Sequence, residues 1–458
     1  MRLTRFLSFS TAALSTAALS VAALSAATLC CVATLQAAPP ASWPQWRGPN
    51  QDGVAPAGTY PAEWAEDAGV RWKQPVEGRG GSTPVIAGDL AFLTSGIDGN
   101  NSLLAFQLNE GGKVAWKTEF GEDTKGKHKK GSGSNPSPVT DGEFVFAYYR
   151  SGDLGCARLN GEQVWHINLQ ERYGDDTLWW DLGSSPTLID NLIVIAVMQS
   201  PEKKDGSAAN RTGDASYLVA FNRKTGEEAW KVSRELGAPS EAAQSYTTPI
   251  AIEDQGLIAV MGADHLTIHS AKDGHELGRV GGFNPGQDQY FRSISSPVVS
   301  GDIVVCPYAR GETITACKIS DVIAGKGRDS IVWERDDLGS DVPTPAIEDG
   351  RVYVAGDKKR RGIITALDLK TGKTIWEYEL DKSRIDFSSS PLVAQGHLYI
   401  TAENGTTFVV GPLSGTEPRL VSTNPVGDDA QFTVSSMVPY NGTALLQRTR
   451  NMLYLFGK

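Results

Sequence analysis

The sequence predicts an all-β protein, a ring of eight four-stranded antiparallel units that forms an eight-bladed β-propeller closed by N-terminal strand exchange. Three observations carry this prediction. A Ser/Thr-Pro opening recurs along the chain, a closing Trp recurs between the openings, and the two series are out of phase.

The stretch Thr344 to Trp376 shows the unit most plainly. Its β-rich runs are punctuated by the turn signals Asp349-Gly350 and Thr371-Gly372, which reads as a meander of four short strands. A lone meander cannot bury both of its faces and needs neighbours built the same way. The openings Ser82-Thr83-Pro84, Ser137-Pro138, Ser184-Ser185-Pro186, Thr247-Thr248-Pro249, Ser295-Ser296-Pro297, Thr344-Pro345 and Ser389-Ser390-Pro391 mark them, with a weaker copy at Ser435-Ser436-Met437. The closing residues are Trp72, Trp116, Trp165, Trp230, Trp333 and Trp376, with degraded slots near Leu277 and Leu420. Trp72 precedes the first opening, and only two runs follow the last one. The strand around Trp72 is therefore expected to complete the final unit, leaving no open sheet edge.

Three segments follow: a signal over 1–38, an extension over 39–69 packed on the propeller, and the propeller over 70–458. The first carries Arg2 and Arg5, no acid, and a long Ala/Leu/Ser/Val run, with a cleavage point after Ala37. The mature chain has no expected membrane span unless this segment is retained as an anchor. Leu29 before Cys30 argues against lipidation. The formal net charge of −10, more acidic still once Arg2 and Arg5 are removed, suits an extracytoplasmic protein, periplasmic or secreted, and argues against nucleic-acid binding. Of five cysteines, Cys156, Cys306 and Cys317 lie outside the signal, and Cys306 and Cys317 sit in adjacent predicted strands where a bridge is one option. No zinc or haem motif occurs, and no metal site is expected.

The runs Ala366–Trp376 (A-L-D-L-K-T-G-K-T-I-W) and Ala220–Trp230 (A-F-N-R-K-T-G-E-E-A-W) resemble the tryptophan-docking repeat of the pyrroloquinoline quinone (PQQ) propeller superfamily. The W-P-Q-W-R-G-P run from Trp43 is similar to the opening of secreted PQQ-like repeat proteins. That superfamily holds quinoprotein dehydrogenases and non-enzymatic relatives of the BamB type. The resemblance covers nearly everything from Trp43 onward. It implies the fold, and in it the Trp packs against the neighbouring blade.

Tight turns such as Asp141-Gly142 and Lys272-Asp273-Gly274 mark one face, while the long loops Gly121–Pro136, Met198–Ser216 and Arg234–Ser245 fall on the other. The long-loop face is the expected working face. It carries two basic runs, Lys125, Lys127, His128, Lys129 and Lys130, and Lys358 to Arg361, read either as solvated loops or as a rim for an anionic partner. Residues five before each opening Pro enter the innermost strands: Arg79, Gly133, Asp181, Gln244, Arg292, Ser340 and Asp386, with Phe432 in the eighth copy. In an eightfold ring Arg79 would face Arg292 and Asp181 would face Asp386, an alternating ring of charge. With Trp180 and Tyr246 for stacking, these form the candidate funnel site for a zwitterionic or sugar-like ligand. The reading favours a monomeric, non-enzymatic scaffold that binds a protein or polysaccharide, with no cofactor and no catalytic residue assigned. The alternative is a PQQ-dependent dehydrogenase-like enzyme using the axis. Against it, the adjacent-cysteine pair of those enzymes is missing outside the signal, and no calcium set is evident.

Overall fold

The computed structural model describes residues 43–65, 68–358, 360–380, 385–426 and 432–458, within which 32 strands pair into eight four-stranded antiparallel sheets. Residues 1–38, where a signal is expected, and the start of the extension lie outside the described residues. Blades 1 to 7 each use four consecutive strands, within 85–122, 139–168, 187–233, 250–281, 298–335, 346–379 and 392–424. Blade 8 uses three strands within 438–457 and takes Val70–Pro75 as its outermost member, antiparallel to Met452–Gly457 with Trp72 opposite Leu455.

Within each blade the burial gradient follows position. Innermost strands such as Val85–Ala87 are buried throughout, whereas the outermost Lys113–Glu122 is largely exposed. Long apolar runs in the second and third strands, among them Leu192–Val197 and Tyr217–Asn222, pack against blades on both sides.

The opening motif has a specific chemical task. Each Ser/Thr at the last position before Pro donates its backbone N–H to the hydroxyl of its counterpart in the next blade. The relay runs Thr83 to Ser137, Ser185, Thr248, Ser296, Thr344, Ser390, Ser436 and back to Thr83, in eight bonds of 2.8–3.0 Å. Proline at the next position holds this residue extended, which favours the required amide direction. Ser436 keeps both bonds although Met437 stands in place of Pro.

The Trp residues join the blades farther out. Trp72, Trp116, Trp165, Trp230 and Trp333 each donate from Nε1 to a carbonyl of the following blade, at Leu108, Leu159, Arg223, Ala271 and Leu369. Each ring lies over a hairpin glycine: Gly112, Gly161, Gly226, Gly274 or Gly372, where an added Cβ would come within 2.9 Å of the indole. A small residue stands opposite the Trp across the strand pair, as Ala105 does for Trp116 and Ala220 for Trp230. The two slots without Trp are covered otherwise. The insertion after Lys318 forms a short helix, Ile319–Ile323, whose Val322 carbonyl sits so close to Gly278 that no Cβ would fit there. At the seam of blades 7 and 8 the extension supplies Trp64, its ring stacked on Phe456 at 4.5 Å and its backbone N–H donated to the Asn424 side-chain oxygen.

The extension crosses the tight-turn face. Trp43 pairs with Ile86, Pro44 accepts from Thr140, Gln51 donates to Ala251, Asp52 accepts from Ile347, and Gly53 accepts from Val393. Arg47 is buried beneath it and donates to the carbonyls of Pro345 and Pro391. Burial lowers its pKa to about 10. Cys156, Cys306 and Cys317 are free buried thiols, so the bridge considered between Cys306 and Cys317 is not formed. Thr315, not Cys317, is the residue opposite Cys306 across the strand pair.

Replacing Thr83 with Val removes the hydroxyl that accepts from Ser436 while nearly preserving shape. The buried N–H left behind is expected to cost about 1–3 kcal/mol, with Thr83→Ser much milder. Urea unfolding of the two variants checks this, and equal stabilities would contradict the relay's role.

Candidate functional site: the axial cavity

Inside the relay lies a cavity of about 440 Å³. Its walls include seven of the eight relay residues, Trp46 of the extension, and side chains from the long-loop face. Since the extension covers the tight-turn face, the cavity's charged residues come from the opposite loops, chiefly blade-to-blade and second-to-third-strand connections.

Five of the seven expected funnel residues line it: Trp180, Asp181, Tyr246, Arg292 and Asp386. Two do not. Gln244 is fully buried behind the wall, where its Oε1 accepts from the Trp179 N–H and the Tyr246 hydroxyl and its Nε2 donates to Ser200. It positions the aromatic groups. Arg79 is exposed and lines a separate small void, with Phe432, Lys130 and Arg450.

The alternating ring of four charges is replaced by local pairs. Arg292 binds Asp341 through both Nη atoms, at 2.9 and 3.2 Å, and lies 3.5 Å from Glu241. Asp181 pairs with Arg150 at 3.2 Å and accepts the N–H groups of Lys127 and His128, so it orders the basic loop and has little charge to offer a ligand. Asp386 pairs with Arg361 at 3.2 Å, and Lys130 with Glu403 at 2.7 Å. The basic runs are largely consumed too: Lys127 binds Asp176, Lys358 binds Asp341, and Arg360 binds Glu377. Lys359 lies outside the described residues.

Sequence reasoning missed Trp46, Glu241, Arg310, Asp341, Asp357 and Glu403. Asp341 could have been found by taking the residue after Ser340, since Ser340 turns inward to the Ala355 carbonyl and leaves Asp341 on the cavity side. Arg310 follows Ala309 in a loop where both hold positive φ, 51° and 56°, a conformation costly for non-glycine residues. This turn brings Arg310 to 3.6 Å from Glu241. Trp180 donates to Glu241 at 2.9 Å, His128 meets its ring edge-on, and Lys204 sits 4.3 Å over its face. Asp357 is buried and accepts the N–H groups of Asp341 and Val342, both at 2.9 Å. Burial, reinforced by the Asp341 charge, raises its pKa to about 7.

A calcium-bound quinone, the cofactor implied for dehydrogenases of this fold, needs free carboxylate and carbonyl oxygens on the axis. Here Asp181, Asp341, Asp386 and Glu403 are each engaged by a cation, and Asp357 is held by two amides. Among the described residues no cluster of three or more His, Cys, Asp or Glu has metal-binding geometry. The residues present do not fit that group.

An eight-bladed propeller with Ser/Thr-Pro openings, Trp-over-Gly seams and an axial cavity defines the class of PQQ-like repeat propellers. A family model described as outer membrane protein assembly factor BamB matches residues 55–202 and 318–417, and the chain belongs to that family. It is 25% identical to the outer membrane protein assembly factor BamB of Burkholderia pseudomallei over 363 residues, 73% of this chain and 85% of that protein. Among solved structures it is similar to BamB from Moraxella catarrhalis, with a TM-score of 0.59 at 10% identity over 85% of this chain and 99% of that one. It is also similar to a europium-containing methanol dehydrogenase, with a TM-score of 0.69 at 10% identity over 92% of this chain and 98% of that one. At such identities these likenesses show the fold alone.

The raised pKa of Asp357 has a definite sign. The folded chain holds this proton more tightly than the unfolded chain, so the contribution is complete below the ordinary carboxyl range and is lost as pH rises through about 7. Relative to Asp357→Asn, the native chain is expected to lose melting temperature between about pH 4 and 7 and to change little above that. A pH-independent difference between the two would contradict this.

Proposed function

We propose that this chain is an exported, non-enzymatic scaffold that binds a protein partner through its long-loop face in the assembly of outer-membrane proteins. The observation that carries the reading is the family match, joined to an axial cavity where Asp181, Asp341, Asp386 and Glu403 are already paired with local cations. Residues 1–38 act as the export signal, which gives an extracytoplasmic mature chain that uses no PQQ. Lys125 and Lys129 remain exposed on the long-loop face with no ion pair among the described residues, and they suit an acidic patch on the partner.

The dehydrogenase reading draws on one observation, an axial cavity of about 440 Å³ in a fold shared with a methanol dehydrogenase. The engaged carboxylates and the Trp46 floor stand against it.

In-cell cross-linking of the full chain followed by mass spectrometry tests the proposal. The expected result is a mature chain beginning near Ala38, linked through the long-loop face to outer-membrane assembly proteins, with Lys125→Glu/Lys129→Glu reducing the cross-linked fraction severalfold. Calcium-dependent PQQ binding with dye reduction on an alcohol or sugar would overturn it.

A further inference from the structure

The hydroxyl relay uses only part of what its side chains can do. A Ser or Thr hydroxyl carries one donor and two acceptor sites. Each relay hydroxyl accepts one backbone N–H from the preceding blade, and none of the eight donates its O–H to a described atom. The residues that carry them are at most 6% exposed, so open solvent does not supply the acceptors. All but Thr344 line the axial cavity, the space left for those acceptors. A buried donor without an acceptor is costly, so the cavity suits an occupant that offers oxygen atoms along the axis.

The rest of the wall separates water from a larger ligand. Half-buried Trp46 lies on the floor, and Ile294, Val342 and Phe387 add apolar surface beside the hydroxyls. Water gains nothing from such surface, whereas a molecule with an apolar face and hydroxyls around its edge matches both parts of the wall. Trp180 is not a free platform, because Lys204 covers its face and His128 meets its ring. Toward the long loops, Arg292 and Lys358 share Asp341, Arg361 pairs with Asp386, Lys130 with Glu403, and Arg310 lies beside Glu241. An anion would have to displace these carboxylates, and a cation would have to displace these bases. An uncharged polyhydroxy ligand displaces neither and finds donors and acceptors side by side, as hydroxyl groups require.

We propose that the axial cavity is a saccharide site. A neutral sugar packs against Trp46, takes hydrogen bonds from relay hydroxyls such as those of Ser185, Thr248 and Ser296, and meets the Arg292–Asp341 pair at its outer edge. The cavity of about 440 Å³ falls in the range of small-molecule sites, with room for roughly one or two sugar rings. The ligand is either a free mono- or disaccharide or the end of a glycan chain, since both present the same hydroxyls. The site lies on the axis, inside the relay, and does not depend on a protein partner bound to the long loops.

Saturation-transfer NMR and thermal unfolding of the full mature chain test this. The probes are glucose, N-acetylglucosamine, maltose, cellobiose and maltoheptaose, with glucose 6-phosphate and glucosamine as charged counterparts. The native chain is compared with Val342→Trp, which fills the cavity from a half-buried position, and with Trp46→Leu, which removes the floor; neither touches the relay. At least one neutral sugar is expected to receive saturation and to raise the melting temperature by a saturating amount of about 1–3 °C. Binding to each variant should be at least about tenfold weaker, a loss of about 1.4 kcal/mol. Maltoheptaose binding as well as maltose would identify a chain end, and maltose binding alone a free sugar; both uphold the site. Three results would overturn it: no transfer to any neutral sugar, equal transfer to the native chain and both variants, or a charged counterpart bound in preference to glucose.

Discussion

The closed relay of eight hydroxyl-to-amide hydrogen bonds is the constraint on which the rest of the molecule depends. Each bond contributes only about 1 kcal/mol net. Its weight lies in closure: every donor's partner is a residue of the next blade, so a missing or extra blade leaves buried groups unpaired. The relay fixes the width of the axis, and the Trp-over-Gly contacts then set the angle between blades farther out. Where the Trp is missing, the insertion helix and Trp64 of the extension cover the gap.

The relay also decides what the axis can be. Its residues form much of the cavity wall, Trp46 closes the tight-turn side, and the charges above them are matched in pairs. Paired charges give order and little reactivity, since a carboxylate already held by a guanidinium is a poor metal ligand and a weak base. A fold shared by dehydrogenases and assembly factors does not choose between them, so the choice rests on these side chains.

The blade count, the outer place of Val70–Pro75 and the Trp contacts were legible in the sequence because each depends on residues that repeat. The hydroxyl relay was not. Ser296 and its acceptor Thr344 are joined only through the ring, and a Ser/Thr before Pro has a sufficient local explanation in strand entry. The funnel shows where counting fails. Five residues before Pro gave Asp181, Arg292 and Asp386 on the cavity wall, but Gln244 turned into the core and Arg79 toward a separate void, because backbone paths into the inner strands differ from blade to blade. The partners Arg150 and Glu241 come from other loops, and no spacing rule links them to the charges they neutralise, whereas Asp341 stands one residue beyond the counted position in the next blade.

Hydrogen-exchange mass spectrometry on the mature chain, alone and in its native complex, tests the central claim most directly. Binding through the long-loop face predicts protection concentrated in loops 121–136 and 234–245, with the relay amides Thr83 to Ser436 slow to exchange in both states. Protection confined to the axial cavity, accompanied by a small-molecule adduct of quinone mass, would contradict it.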